Sequence, residues 1–227
     1  MTIILSGGGY NKQSYKLDKA FAKIAGVGNI LYIPIAMPQN SRSYGICFDW
    51  FSDCFSAHGI SNIDMWTTLK DKDYIKLRDY AAVYIGGGNT FHLLQEMRKT
   101  GFDSALITYI KYGGIVYGGS AGAIVLGKNI QTATIGSKKD RNTVNLKNFG
   151  GINILYGNSI KCHYKPSDKR VLSKYTNENA EKIIALPDDG GLIIHKNRAI
   201  VAGYGNVYLF EGLNVRKYEP GSTINFI

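Results

Sequence analysis

Only three cysteines, five prolines and four histidines occur among the 227 residues, against 27 glycines. Cys47, Cys54 and Cys162 are odd in number and show no C-x-x-C spacing, which argues against a disulfide framework and against a zinc site. No apolar run approaches the ~20 residues needed to cross a bilayer. Residues 1–7 lack a basic region followed by a long apolar stretch, so they read as a first strand and not as a signal peptide. The expectation is a reduced, cytoplasmic chain without membrane attachment.

Acidic residues are also scarce: 17 Asp and Glu against 27 Lys and Arg leave a formal charge of +10. The basic residues are scattered, with one compact cluster at Lys138-Lys139-Asp140-Arg141, and no helix-turn-helix, zinc-finger or RNA-binding signature accompanies them. The charge therefore reads as a solvated basic surface or as attraction for an acidic small substrate, not as a nucleic-acid site. Low-complexity segments and internal repeats are absent, and an apolar fraction of 44% is ample for a core.

What is present is an alternation of short apolar, β-branched runs with segments of helical period, the pattern of βαβ units around a parallel sheet. Strands are expected at 2–5, 29–34, 62–66, 81–85 and 114–117, then at 159–162 and 183–186. Helices are expected at 16–24, 44–57, 91–98, 103–111 and 169–179, and the segment after Ser120 is helix-compatible. Residues 192–195, 199–201 and 207–210 read as a C-terminal antiparallel meander. The stretch 127–159, rich in Asn, Gly, Lys and Thr, has little periodicity; such a stretch is usually functional or carries a small hairpin of its own. Nothing marks an interdomain linker, so residues 1–227 are taken as one domain.

The strand ends carry the chemistry. Gly118-Gly119-Ser120-Ala121-Gly122 contains G-x-S-x-G, the pattern of a nucleophile elbow, in which a tight strand-to-helix turn forces a serine Oγ out of the sheet end. The amides after such a turn face any oxyanion forming on a substrate carbonyl. Ser6-Gly7-Gly8-Gly9 and Gly86-Gly87-Gly88-Asn89-Thr90 close two other strands at the same edge, where an open parallel sheet binds ligands. An amide of Gly87 or Gly88 would join that of Ala121 as an oxyanion hole, while Asn89 and Thr90 cap the helix beginning near Phe91 and stand beside the substrate. Neither glycine loop carries a Walker lysine or a complete dinucleotide fingerprint, so no cofactor is expected, and no residue cluster has metal-ligand spacing.

Serine needs a base. Of His58, His92, His163 and His195, only His163 directly follows a predicted strand at its carboxyl end and after the serine in chain order. Two positions could supply the orienting acid: the Asp188-Asp189-Gly190 turn at another strand end, and Asp140 in the irregular stretch.

Taken together, Gly86-Gly87-Gly88-Asn89-Thr90-Phe91, Gly118-Gly119-Ser120-Ala121-Gly122-Ala123, His163-Tyr164 and Ala185-Leu186-Pro187-Asp188-Asp189-Gly190 resemble peptidase family S51, which includes dipeptidase E (the α-aspartyl dipeptidase) and cyanophycinase. The resemblance implies an α/β, flavodoxin-like, doubly wound sheet similar to class I glutamine amidotransferases, with serine where those have cysteine. It implies a metal-free serine peptidase, monomeric or homodimeric, acting on a small peptide. Carried over by position, Ser120 is the nucleophile, His163 the base and Asp189 the acid, with Asp140 as the alternative. An aspartyl preference requires a cation near the base, and Arg170, beside Lys169, is the expected one. Two other readings keep the same residues: a glycine-cleft binding protein without turnover, and an acyl or amide hydrolase with a non-peptide substrate.

Overall fold

The computed structural model describes residues 1–226. The first half is a run of βα units: β1 (Thr2–Ser6), α1 (Tyr15–Ala25), β2 (Ile30–Ile33), α2 (Tyr44–Ser56), β3 (Ile63–Met65), β4 (Ala82–Ile85), α3 (Thr90–Thr100), α4 (Phe102–Lys111), β5 (Ile115–Gly119) and α5 (Ala121–Leu126). The second half holds β6 (Asn158–Lys161), α6 (Lys169–Asn179), β7 (Lys182–Ala185), β8 (Gly190–His195), β9 (Arg198–Gly203), β10 (Val207–Glu211), β11 (Asn214–Tyr218) and β12 (Thr223–Asn225).

An eight-stranded sheet runs β12-β9-β8-β1-β5-β4-β2-β3. Strands β1, β5, β4, β2 and β3 are mutually parallel, and β8, β9 and β12 extend the β1 edge antiparallel, giving the mixed α/β sheet expected. The C-terminal strands are divided between two sheets instead of forming one meander. β10 leaves the β8–β9 hairpin and pairs with β7 and β11 in a second sheet of order β11-β10-β7-β6.

Every strand of the parallel core except β3 is apolar on both faces, as a sheet covered on both sides requires. Side-chain alternation then sorts the core into two layers. Ile4, Tyr32, Tyr84 and Tyr117 point to the side covered by Leu17 and Phe21 of α1 and Phe51 and Phe55 of α2. Ile3, Leu5, Ile33 and Ile85 point the other way, onto Phe91, Leu94, Phe102, Leu106 and Val125 of α3, α4 and α5. Fully burying side chains of this size contributes about 1.5–3 kcal/mol each. A third cluster, Tyr164, Leu172, Ile183 and Phe210, seats α6 on the second sheet.

Residues 127–157 contain a short 3-10 turn at Gln131–Thr134 and an isolated bridge between Asn129 and Gly150, and no hairpin of their own among the described residues. Side chains hold the stretch down instead. Asp140 Oδ2 accepts from the Thr90 amide (2.9 Å) and hydroxyl (2.6 Å), and the Arg98 guanidinium donates to the carbonyls of Asn148 and Gly150.

Candidate active site

β5 and α5 meet at Ser120, whose backbone sits at φ 49°, ψ −109°. A non-glycine residue at positive φ is strained, and such strain persists only where the surroundings enforce it. Here the enforcement is close packing on both sides. A Cβ on Gly118 would lie 2.7 Å from the Gly122 backbone, and one on Gly122 would lie 2.3 Å from the Ile85 carbonyl oxygen. The G-x-S-x-G spacing is thus a steric condition for bringing the strand, the helix and the neighbouring strand β4 together.

The Ser120 Oγ lies 2.8 Å from His163 Nε2, and His163 Nδ1 lies 2.5 Å from Asp188 Oδ1. These three side chains form one continuous line. His163 directly follows Cys162 beyond the end of β6, also at positive φ (55°), and its amide donates to the Gly7 carbonyl of the first glycine loop. That loop reaches the imidazole itself: at Gly8, φ 108°, a Cβ would stand 2.3 Å from His163 Cε1. Gly8 therefore needs both the backbone freedom and the missing side chain.

Asp188 and Asp189 are the central residues of a turn closed by the Gly190 amide on the Pro187 carbonyl, and they diverge. Asp188 faces the imidazole, and its carbonyl accepts from the Gly9 amide. Asp189 holds the amides of Tyr204 and Gly205 through its carbonyl, and its side chain lines a different cavity. The acid beside the histidine is thus Asp188 and not Asp189, because adjacent residues in a tight turn aim in different directions. Nor does Asp140 reach His163; its carboxylate caps the start of α3 at Thr90.

Burial pushes the His163 pKa below its ordinary value; the hydrogen bond that its Nδ1–H donates to Asp188 opposes this, and the positive charges of Lys138 and Lys161 reinforce it. A base kept neutral in this way is ready to accept a proton at neutral pH. Cys162 lies against the Ser120 carbonyl, and burial raises its thiol to about 12, so it stays protonated and is not a competing nucleophile.

Gly87 fits tightly against the serine, where a Cβ would be 3.1 Å from Ser120 Cβ. Among the described residues the amides of Gly87, Gly88 and Ala121 make no backbone hydrogen bond outside the helices and strands; Gly87 and Gly88 line the cavity over Ser120, whereas Ala121 is wholly buried and does not. Asn89 is turned inward instead: its side-chain oxygen caps α3 at the His92 amide and its Nδ2 donates to the Arg141 carbonyl. Asn89 and Thr90 are scaffold residues and do not line the cavity over Ser120.

That cavity measures about 350 Å³ and reaches from Trp50 past Ser120 to Lys161. Its cations are Arg42, Lys138 and Lys161. Arg170, expected there from its place after His163, is exposed on α6 and does not line it, because the turn at Pro166–Asp168 carries α6 away over the second sheet. His58 packs at a tilt against the Tyr15 ring and His195 pairs with Thr2, both away from the serine. Among the described residues no group of three or more His, Cys, Asp or Glu is placed to hold a metal ion, and no helix is long and apolar enough to cross a membrane.

Sequence reading missed Asp188 and the three cavity cations. For Lys161 a signal existed: a lysine between Ile160 and Cys162 in a strand buried throughout is out of place unless its ammonium has a task.

The chain is 32% identical over 124 residues to an uncharacterized peptidase, Lmo0363, of Listeria monocytogenes, covering 54% of this chain and 60% of that one. It is 26% identical over 145 residues to peptidase E of Citrobacter koseri (60% and 61%) and 27% identical over 139 residues to peptidase E of Escherichia coli (57% and 58%). The matches span only about three-fifths of these relatives' lengths. Two crystal structures share the fold: a putative peptidase E protein from L. monocytogenes EGD-e (TM-score 0.70, 22% identity, 90% of this chain and 98% of that one) and a peptidase from an acI-B1 actinobacterium (TM-score 0.75, 18% identity, 99% and 96%). The match to the description "Peptidase family S51" runs over residues 2–202, taking in the whole parallel sheet together with Ser120, His163 and Asp188, and on it the chain belongs to peptidase family S51.

Proposed function

We propose that the protein is a serine-type exopeptidase that hydrolyses short peptides through an acyl-enzyme. The observation that carries this reading is the line from Ser120 Oγ through His163 to Asp188, with contacts of 2.8 and 2.5 Å. In this reading His163 Nε2 accepts the serine proton as Oγ attacks the scissile carbonyl. Asp188 keeps the imidazole in the tautomer whose Nε2 is unprotonated and stabilises the imidazolium that forms. The amides of Gly87 or Gly88 and of Ala121 receive the developing oxyanion. His163 then gives its proton to the leaving amine, the C–N bond breaks, and water activated by the same imidazole hydrolyses the ester on Ser120.

A cavity of about 350 Å³ supports short substrates over long ones, since it is at the small end of ligand sites. With Arg170 exposed, any acidic preference rests on the cations that line the cavity. The test is hydrolysis of a panel of di- and tripeptides, Asp-X members included, by the wild-type protein and by Ser120→Ala. Turnover of short peptides, lost by several orders of magnitude in Ser120→Ala, is expected. Turnover of non-peptide amides alone would move the reading to another acyl hydrolase, and full activity in Ser120→Ala would overturn it.

A further inference from the structure

Among the described residues Lys161 is the one lysine that is almost wholly buried, at 2% exposure, and it lines the cavity over Ser120. A buried ammonium is normally paired with a carboxylate, because losing water is expensive for a charge. Lys161 has no such partner: among the described residues Nζ makes one hydrogen bond, to the Lys138 carbonyl at 2.8 Å, and lies within 4.0 Å of no carboxylate oxygen. An ammonium carries three donors, so two remain. Two acids lie near without pairing directly with it. Asp140 lines the same cavity but accepts from the Thr90 amide and hydroxyl, and Asp168 accepts from the Ser137 amide and hydroxyl and from the Lys165 amide. Lys138, whose carbonyl holds the Lys161 ammonium, lines the same cavity and brings a second positive charge.

We propose that Lys161 is the carboxylate anchor of this cavity: a substrate carboxylate, either the C-terminal one or an acidic side chain, completes the ion pair that the fold leaves open. The proposal deepens the peptidase reading and rests on it for the identity of the substrate, but it is a statement about binding and is tested without turnover. The bond to Lys138 gives Lys161 a second task, tethering the irregular stretch beside the site, and the test has to separate the two.

The experiment is calorimetric titration of the Ser120→Ala protein with Ala-Leu, Ala-Leu amide, Asp-Leu and Asp-Leu amide, repeated with Lys161→Met and Lys161→Arg added. A charge-assisted contact predicts that carboxylate-bearing peptides bind about ten- to a hundredfold more tightly than Ala-Leu amide. Lys161→Met removes that difference, while Lys161→Arg keeps most of it. Ala-Leu far above its amide identifies the C-terminal carboxylate, and Asp-Leu amide far above Ala-Leu amide identifies the side chain. Equal binding of all four peptides, a Lys161→Met loss of the same size for all four, or no binding of any of them overturns the proposal. Thermal melts confirm that each variant is folded, and Lys161→Arg retains a cation should Lys161→Met melt early. Labelling of Ser120 by a fluorophosphonate in the otherwise wild-type background tests serine reactivity separately, so failure of the anchor and failure of the peptidase reading are distinguishable.

Discussion

Two cavities share Trp50 in their walls, and the charges that line them differ in net sign. The one over Ser120, about 350 Å³, is bounded by Arg42, Lys138 and Lys161 against the single acid Asp140. The other, about 840 Å³ and more open, is bounded by Asp18, Asp53 and Asp189 beside Lys12, His58 and the rings of Tyr15, Trp50 and Tyr204. Asp188 backs the imidazole that serves the first, and Asp189 opens onto the second. Volume alone would choose the wrong hollow. What distinguishes the small one is convergence: a strained serine, a desolvated histidine and unpaired amides arrive there from three strand ends, whereas the large one gathers carboxylates and aromatic rings around no aligned nucleophile.

Exchanging each aspartate separately gives the largest difference between the two cavities. Asp188→Asn is expected to lower kcat by about two to four orders of magnitude, because the asparagine no longer enforces the reactive tautomer or stabilises the imidazolium. Asp189→Asn is expected to change kcat less than about threefold, since the Tyr204 and Gly205 amides bond to its carbonyl and not its side chain. Steady-state kinetics on the best short peptide check both, and a reversed pattern would return the acid to Asp189. The pH profile sharpens the test. Burial and the two lysines hold the His163 pKa below its ordinary value, so the acid limb of kcat/KM for the wild type is expected below about 6.5. Asp188 is the group that raises that pKa, so the residual activity of Asp188→Asn is expected to extend to still lower pH.

The smallest effect belongs to the acidic cavity. Asp18 is buried, accepts from the Tyr117 hydroxyl at 3.0 Å, and has its pKa raised from 3.8 to about 6 by desolvation. An acid whose folded-state pKa is raised stabilises the fold only while protonated. That contribution is full below about 3.8 and is lost as pH rises through about 6. At pH 7 the ionised group therefore costs on the order of 2 to 3 kcal/mol. Asp18→Asn is expected to raise Tm at pH 7 by about 4 °C or more and to leave it nearly unchanged at pH 4. Thermal melts at the two pH values read this, and equal melting of the two proteins at pH 7 would show that Asp18 is not held at a cost.

Much of this was legible in the sequence, for physical reasons that also mark where legibility ends. The G-x-S-x-G spacing states a steric requirement that Gly118 and Gly122 meet, so Ser120 could be found without coordinates. His163 was readable as the histidine at the carboxyl end of a strand, although β6 lies in the second sheet and reaches Ser120 through the tie of its amide to the Gly7 carbonyl. The acid was not, since a turn places two equivalent aspartates side by side and only its handedness decides which one faces the ring. Arg170 misled because chain distance from His163 ignores the intervening turn at Pro166–Asp168, which redirects α6. Strand periodicity located β10 but could not name its partner, as alternation reports which faces are buried and not which sheet is joined.

If His163 makes Ser120 nucleophilic, a fluorophosphonate followed by mass spectrometry gives one phosphonyl adduct, on the peptide carrying Ser120, absent in Ser120→Ala and formed far more slowly in His163→Ala. An adduct on another residue, or an unlabelled Ser120 in a protein that still hydrolyses peptides, would contradict it.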